Sequence, residues 1–162
     1  FDADKKVEHV YQCDTTHPYF DASGSKAKCL SLEECGISNY AYSSGDDKLC
    51  LTASECTARE GYYLDKDDGK CISSTECVGY LFGEGDEKQC LSRAQCAKKT
   101  GYLVYENDDN STRECVTKTK CKTIGYELRI QCLTKTQCEA RGYYQINENP
   151  RTCVQTSTCE EG

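Results

Sequence analysis

The chain of 162 residues is poor in the side chains that build a large apolar core. Leu, Ile, Val and Phe together number 24, and Met and Trp are absent. Its mean hydropathy is -0.74 and its net charge is -7, so apolar burial alone cannot offset the entropy lost when such a chain becomes ordered. The fold therefore needs another source of stability.

Other absences limit the partners of the chain. Its longest apolar runs, Tyr80 to Phe82 and Leu103 to Tyr105, are far too short to cross a bilayer, so we expect no membrane insertion. The 20 basic residues are outnumbered by 27 acidic ones and form no cluster, which argues against a nucleic-acid partner because an acidic chain is repelled by phosphate backbones. A start at Phe1, without Met, is typical of a processed chain or a fragment.

Side chains for catalysis and metal binding are also scarce. Histidine occurs only as His9 and His17, and there is no nucleophile motif or phosphate loop, so we predict no enzyme, no catalytic residue and no cofactor. The acidic turn at 65–68 lacks calcium-loop spacing, because Gly69 stands where a fifth ligand is expected. The cysteine spacing differs from that of zinc knuckles. We therefore predict no metal site.

Cysteine, in contrast, is abundant, with 15 residues. Such a density persists as disulfides only in an oxidising compartment, so we predict a secreted or cell-surface protein. After Cys13 the cysteines form seven pairs with members six positions apart, and the pairs recur every 17 to 25 residues. The pairs are Cys29/Cys35, Cys50/Cys56, Cys71/Cys77, Cys90/Cys96, Cys115/Cys121, Cys132/Cys138 and Cys153/Cys159.

Each cysteine pair carries the signature of a helix start. Two residues after the first cysteine comes Ser or Thr, and three residues later Glu or Gln, as in Thr52 and Glu55. This is a capping box, in which each side chain accepts a hydrogen bond from the other residue's amide, so a short helix is expected in each pair. The pairs that begin at Cys115 and Cys153 depart from the box, and their helices should be the weakest.

The stretch between cysteine pairs has the pattern of a β-hairpin. Gly61, Gly101, Gly125 and Gly142, with Asn39 in the same slot, are expected to end each helix in the left-handed conformation. A tyrosine then starts a strand, and a polar turn leads back to the next cysteine. The tyrosines could cover the adjacent helix and disulfide or form an exposed stacking face that binds glycans or a partner; they are Tyr40, Tyr62, Tyr80, Tyr102, Tyr126 and Tyr143.

The predicted fold is a small disulfide-rich α+β repeat, an elongated array of seven β-hairpin plus short-helix units of about 21 residues. Residues 1-13 form a degenerate N-terminal helix unit, in which Val7, His9 and Gln12 take the repeat positions before Cys13. The seven tandem units span 14-162, with approximate bounds 14-35, 36-56, 57-77, 78-96, 97-121, 122-138 and 139-162.

Two regular disulfide connectivities fit this pattern. One joins the two cysteines of each pair and leaves Cys13 over. The other, which we favour, closes each hairpin and leaves Cys159 unpaired or intermolecular, because a hydrophobic staple at the helix start turns the first cysteine of a pair away from the second. Each closed loop would then contribute about 3 kcal/mol of stability. The favoured bonds are Cys13-Cys29, Cys35-Cys50, Cys56-Cys71, Cys77-Cys90, Cys96-Cys115, Cys121-Cys132 and Cys138-Cys153.

One segment resembles known extracellular repeats. From Cys56 to Ile72 a Gly-Tyr-Tyr hairpin is enclosed by two cysteines, as in the cysteine-rich repeats of furin-like and growth-factor-receptor domains. It is also similar to the high-cysteine and variant-specific surface proteins of protists such as diplomonads. The resemblance implies an extracellular, elongated, non-catalytic array.

These patterns predict an extracellular structural protein, such as a stalk, a coat or a self-assembling filament subunit, that associates head to tail. The alternative is a surface receptor or adhesin module that binds glycans or surface proteins through the tyrosine face or the hairpin tips. The sequon at Asn110 lies in the longest predicted hairpin tip and predicts N-glycosylation there.

Overall fold

A computed structural model describes residues 13–22, 26–147 and 151–155. The degenerate helix expected before Cys13 and the thiol expected at Cys159 lie outside the described residues. The chain divides into two compact units. The first comprises Phe1–Cys77 with Gly83–Cys90, and the second comprises Val78–Phe82 with Leu91–Gly162.

The described part of the chain contains fourteen short strands and is mostly β. In chain order the strands are β1 Tyr19–Asp21, β2 Lys28–Leu30, β3 Tyr40–Ser44, β4 Asp47–Leu51, β5 Tyr62–Asp65, β6 Lys70–Ser73, β7 Tyr80–Phe82, β8 Gln89–Leu91, β9 Tyr102–Glu106, β10 Arg113–Thr117, β11 Tyr126–Leu128, β12 Gln131–Leu133, β13 Tyr144–Ile146 and β14 Thr152–Val154.

Helix is a smaller component than the sequence predicted. The helices of the described residues are α1 Leu32–Gly36, α2 Ala53–Thr57, α3 Arg93–Ala97, α4 Lys118–Ile124 and α5 Lys135–Ala140, with a 3-10 turn at Gly85–Glu87. The expected α+β repeat is thus a disulfide-rich, mostly β repeat with short helical connections.

Within each unit, hairpins join side by side into a sheet. The strand order is β8-β5-β6-β3-β4-β1-β2 in the first unit and β13-β14-β11-β12-β9-β10-β7 in the second. Strands of one hairpin are antiparallel, whereas the second strand of each hairpin is parallel to the first strand of the preceding one, as β6 is to β3 and β12 to β9. The connection between hairpins is a single helical turn or two.

The capping boxes form as the sequence predicts at four helix starts, Ser31, Thr52, Ser92 and Thr134. The same hydrogen bonds join Ser73 and Glu76, but only a turn follows.

The expectation of a weak helix after Cys115 is wrong. Helix α4 has seven residues and is the longest among those described, although only half of the capping box is present, the bond from the Lys120 amide to the Thr117 hydroxyl. Its C-terminal residue Ile124 packs on a buried cluster around Cys121, which extends the helix by tertiary contact.

The expected left-handed stops form at Gly61, Gly101 and Gly142, with φ of 77°, 83° and 71°. At Gly125 the prediction is wrong, because its φ of -171° is extended. That position needs glycine for a different reason: a Cβ would lie 2.3 Å from the Leu133 carbonyl oxygen. Nor is Asn39 left-handed, since it is not among the positive-φ residues of the described chain.

Among the described residues, apolar burial is divided among five small clusters rather than one core. A representative cluster surrounds the Cys56–Cys71 disulfide and contains the buried Tyr42, Leu51 and Leu64. Its members come from neighbouring hairpins, so this disulfide lies in an interface between hairpins. Because each cluster is small, a chain with few Leu, Ile, Val and Phe can supply all of them.

Candidate functional site

The structure contains the hairpin-closing connectivity. Its seven disulfides are Cys13–Cys29, Cys35–Cys50, Cys56–Cys71, Cys77–Cys90, Cys96–Cys115, Cys121–Cys132 and Cys138–Cys153. Their Cα–Cα separations of 5.6 to 6.0 Å are those of ordinary disulfides. The cysteines that start the bonds at the helices, Cys56, Cys96, Cys121 and Cys138, are completely buried. Such sulfurs are shielded from thiols in solution, which fits a structural role rather than a redox one.

The six tyrosines of the expected stacking face lie against the buried clusters. Tyr80 and Tyr126 are only 3% and 4% exposed. The other four are half-buried, and Tyr62 and Tyr102 are packed on clusters of buried residues. Tyr80 and Tyr126 thus offer almost no ring surface to a glycan or partner, and covering the hairpins is the role that these rings have.

We call the parallel pairing between two neighbouring hairpins a junction, and the cysteine in the second strand of a hairpin its closing cysteine. At three junctions, a basic residue two positions before the closing cysteine contacts the preceding hairpin. In the first unit Lys88 donates to the Arg59 carbonyl over 3.2 Å, and its ammonium lies 5.2 Å from the Tyr63 ring centroid. The cation thus satisfies a carbonyl near the end of α2 and covers an aromatic face at the same time.

The second unit repeats this contact twice. Arg113 donates to the Val78 carbonyl over 2.7 Å and lies over the Tyr80 ring at 5.1 Å. Arg151 donates to the Lys122 carbonyl over 2.9 Å, with its guanidinium 4.4 Å from the Tyr126 ring centroid. We name these three residues, Lys88, Arg113 and Arg151, the junction cations.

A second repeated contact joins aromatic rings across neighbouring hairpins. Tyr42 and Tyr62 lie 5.1 Å apart, and the Arg59 guanidinium covers Tyr42 at 4.3 Å. In the second unit Phe82 and Tyr102 are likewise 5.1 Å apart, with the Lys99 ammonium 4.4 Å from the Phe82 ring. Both sets strengthen the junctions between hairpins.

A concave surface with several polar side chains lies in the second unit. An open cleft of about 310 Å³ is lined by Arg93, Glu106, Gln131, Gln137 and Arg141. Two of its side chains are held by bonds to the chain: the Gln137 amide donates to the Glu106 carbonyl over 2.7 Å, and Arg141 donates to Gln131 over 3.1 Å.

The Glu106 carboxylate at this cleft is also engaged. The Tyr80 hydroxyl donates to it, and Arg113 is 3.4 Å away. The Tyr80 hydrogen bond, followed by the Arg113 charge, lowers the pKa of Glu106, although partial burial opposes the shift. The same contact and burial, with burial the larger cause, raise the pKa of Tyr80. The ionised Glu106 carboxylate thus links the hairpin of β9 and β10 to Tyr80 in the neighbouring strand β7.

The hairpin tips are exposed, and the longest carries the sequon. Asn110 lies exposed at the tip between β9 and β10 with a φ of 58°, a conformation that asparagine tolerates. Two hydrogen bonds order the tip. The Asn107 side-chain amide donates to the Ser111 hydroxyl over 2.8 Å, and the Thr112 backbone amide donates to the Asn107 side-chain oxygen over 2.9 Å. The predicted glycan site is therefore accessible in the folded chain.

The acidic turn forms a compact tip. Asp65 accepts a 3.2 Å bond from the Asp68 amide, and burial is the main cause that raises the pKa of Asp65. Nowhere in residues 13–22, 26–147 and 151–155 do three His, Cys, Asp or Glu side chains group as metal ligands would. The described helices also include none with the length and apolar character needed to span a bilayer.

Comparison with protein-family models, with curated proteins and with solved structures found no match.

Sequence reasoning did not single out the junction cations. Their signal is visible in the sequence, since Lys88, Arg113 and Arg151 each stand two positions before a first cysteine. The same position holds Gly69 and Ile130 in other hairpins, so the pattern is broken and does not stand out from composition alone.

Proposed function

We propose that the chain is a secreted or cell-surface structural protein, a stalk, coat or filament subunit built from disulfide-stapled repeats. The observation that carries this proposal is the common register of the junctions between hairpins. Residue pairs with entirely different side chains, such as Ala41 and Lys70 or Glu127 and Thr152, occupy the same place in it. A register that does not depend on particular side chains is a property of the backbone, so it can be extended.

The proposed form is an elongated array of seven disulfide-closed hairpins that are joined by short helices or turns. Closing the hairpins by disulfides, most of them buried, supports a role in an oxidising, extracellular setting, where mechanical and proteolytic resistance is needed. The resemblance of the Cys56–Ile72 segment to furin-like repeats and protist surface proteins favours the same setting. We propose no catalytic activity, because the polar side chains of the cleft, Glu106 above all, are engaged in bonds within the fold.

Head-to-tail self-association is part of this proposal. It is tested by light scattering coupled to size exclusion, with the disulfides intact, over a hundredfold range of protein concentration, and by negative-stain imaging of the same samples. The expected result is a mass that rises with concentration and linear particles of uniform width. A monodisperse monomer at the highest concentration would contradict it.

The alternative is a surface receptor or adhesin module, and the cleft in the second unit is the observation that favours it. Arg93 and Arg141 line this cleft and would present two guanidinium groups to a carboxylated glycan. Glycan-array binding that is lost in Arg93→Ala and retained in a control, Lys98→Ala, would favour this alternative over the structural role.

A further inference from the structure

The parallel junctions follow one register rule. In each hairpin, one residue of the first strand faces the closing cysteine across the antiparallel pair. That residue also pairs, in parallel, with the residue that precedes the closing cysteine of the next hairpin. In the first unit, Ala41 faces Cys50 and pairs with Lys70, and Leu64 faces Cys71 and pairs with Gln89.

The second unit obeys the same rule. Val104 faces Cys115 and pairs with Gln131. Glu127 faces Cys132 and pairs with Thr152. In both units the rule fixes one hydrogen bond: the amide of the facing residue donates to the carbonyl two positions before the next closing cysteine. These bonds run from Ala41 to Gly69, Leu64 to Lys88, Val104 to Ile130 and Glu127 to Arg151, at 2.8 to 3.1 Å.

In the strand orders given above, β2 is the last strand of the first unit and β13 is the first strand of the second. Among the described residues, β2 pairs only with β1, and β13 only with β14. Both are three residues long, like the shorter strands that pair inside the units. β2 is the second strand of its hairpin, and β13 is the first strand of its hairpin. Since every internal junction joins a second strand to the first strand of another hairpin, the outer edges of β2 and β13 could form one further parallel junction.

Exposure identifies the same two edges. Tyr144 precedes Gln145, which faces Cys153, just as Tyr126 precedes Glu127, which faces Cys132. Tyr80 likewise precedes Leu81, which pairs in parallel with Glu114, the residue before Cys115. Tyr80 and Tyr126 are 3% and 4% exposed beneath the cations of the following hairpin, whereas Tyr144 is 54% exposed. At the other edge, Cys29 is exposed although Cys50 is 4% exposed. Surfaces covered at internal junctions are thus open at these two strands.

We propose that β2 of one copy of this chain pairs in parallel with β13 of a second copy, continuing the register of the internal junctions. By the rule, Gln145 faces Cys153 and so pairs with Lys28, which precedes Cys29. The Gln145 amide donates to the Ala27 carbonyl of the other copy, and Ala27 takes the position beside Tyr144 that Arg113 and Arg151 take beside Tyr80 and Tyr126. This inference deepens the proposed head-to-tail assembly and rests on it, because it names the strands and the register of the contact.

The first test is a charge series at one position of the junction. Since paired residues of a parallel junction place their side chains on the same face, Gln145→Lys sets like charges against each other, and Gln145→Glu sets a carboxylate beside Lys28. The dissociation constant for assembly, from sedimentation over a concentration series at low salt, should rise about threefold in Gln145→Lys and fall in Gln145→Glu. The double variant Lys28→Glu with Gln145→Lys should restore assembly.

The second test removes the hydrogen bond itself. Gln145→Pro deletes the amide that the junction uses, at an edge where proline is tolerated because that amide is not bonded within the hairpin. Assembly should weaken at least tenfold. Thr136→Lys, on the exposed surface of α5, is the control for added charge, and unchanged circular dichroism and thermal unfolding of every variant exclude misfolding.

The outcomes separate this contact from the broader function. Unaltered assembly in Gln145→Pro and no trend across Lys, Gln and Glu would overturn the proposed register while leaving self-assembly in place. Absence of assembly in the unmodified chain would contradict the head-to-tail function itself and this contact with it. Slower hydrogen exchange at the Gln145 amide as protein concentration rises would support the contact directly, and unchanged exchange in assembled protein would contradict it.

Discussion

A close backbone approach in the first unit gives a sharp prediction about stability. Gly69, in the turn between β5 and β6, lies against Gly36 at the end of α1. A Cβ added to Gly69 would be 2.9 Å from the Gly36 Cα and 3.2 Å from its carbonyl oxygen, and Gly69 has a φ of 64°. Gly45 has almost the same φ, 59°, but no atom lies within 4 Å of its Cβ position. Gly45→Ala is therefore a matched control.

Both substitutions force alanine into the left-handed region, which costs about 1 kcal/mol. Gly69→Ala must also displace backbone atoms, and overpacking of this kind costs about 1–3 kcal/mol more. We expect the free energy of unfolding to fall by about 1 kcal/mol in Gly45→Ala and by about 2–4 kcal/mol in Gly69→Ala. The displacement should also lengthen the 2.9 Å bond from the Ala41 amide to the Gly69 carbonyl, so this amide should exchange faster.

The assay is urea unfolding with the disulfides intact, followed by tyrosine fluorescence because the chain has no Trp, together with hydrogen exchange at Ala41. Equal losses of stability in the two variants would refute the close packing of these hairpins. So would unchanged exchange at Ala41 in Gly69→Ala.

Three further predictions concern the second unit. Arg151→Met should lower the free energy of unfolding by about 1 kcal/mol, because it removes a carbonyl bond and a cation–ring contact, whereas Lys98→Met should change it little in the same urea assay. Because the pKa of Glu106 is lowered in the folded chain, its contribution is present above the range in which free glutamate titrates and is lost as the pH falls through the lowered pKa. The difference in stability between the unmodified chain and Glu106→Gln should thus shrink from pH 7 to pH 3, and a constant difference would contradict the assignment. Secretion from a glycosylating host should add one N-glycan that glycosidase removes and Asn110→Gln lacks, and an unglycosylated mass would contradict this.

The cysteine spacing predicted most of the fold, because its periodicity indicates the repeat and its disulfides link the two ends of each hairpin. The six-residue spacing, the capping box and the tyrosine starts predict local structure from local chemistry. Strands begin at Tyr40, Tyr62 and Tyr126 as expected. By contrast, Ser73 has the same box and yields only a turn, because the chain enters the next strand at Tyr80 too soon for a helix.

Contacts between hairpins could not be predicted in the same way. The parallel register depends on how successive hairpins stack, and no spacing along the chain encodes it. The role of Gly125 was misassigned for the same reason: its glycine is required by the Leu133 carbonyl of the facing strand, not by its own φ. The junction cations were predictable only in part. Arg113 and Arg151 share a position relative to the closing cysteine, but the carbonyl and the ring that each contacts lie far away in the sequence.

Disulfide mapping tests the central claim, an array of covalently closed hairpins, most directly. After free thiols are alkylated at acidic pH, trypsin cleavage of the denatured chain at Lys48 and Arg59 releases the segment 49–59, which contains Cys50 and Cys56. The hairpin-closing pattern predicts that this peptide remains bonded to the peptides of Cys35 and Cys71, one through each cysteine. Release of 49–59 as a free peptide with an internal disulfide, two mass units below its reduced form, would contradict the account.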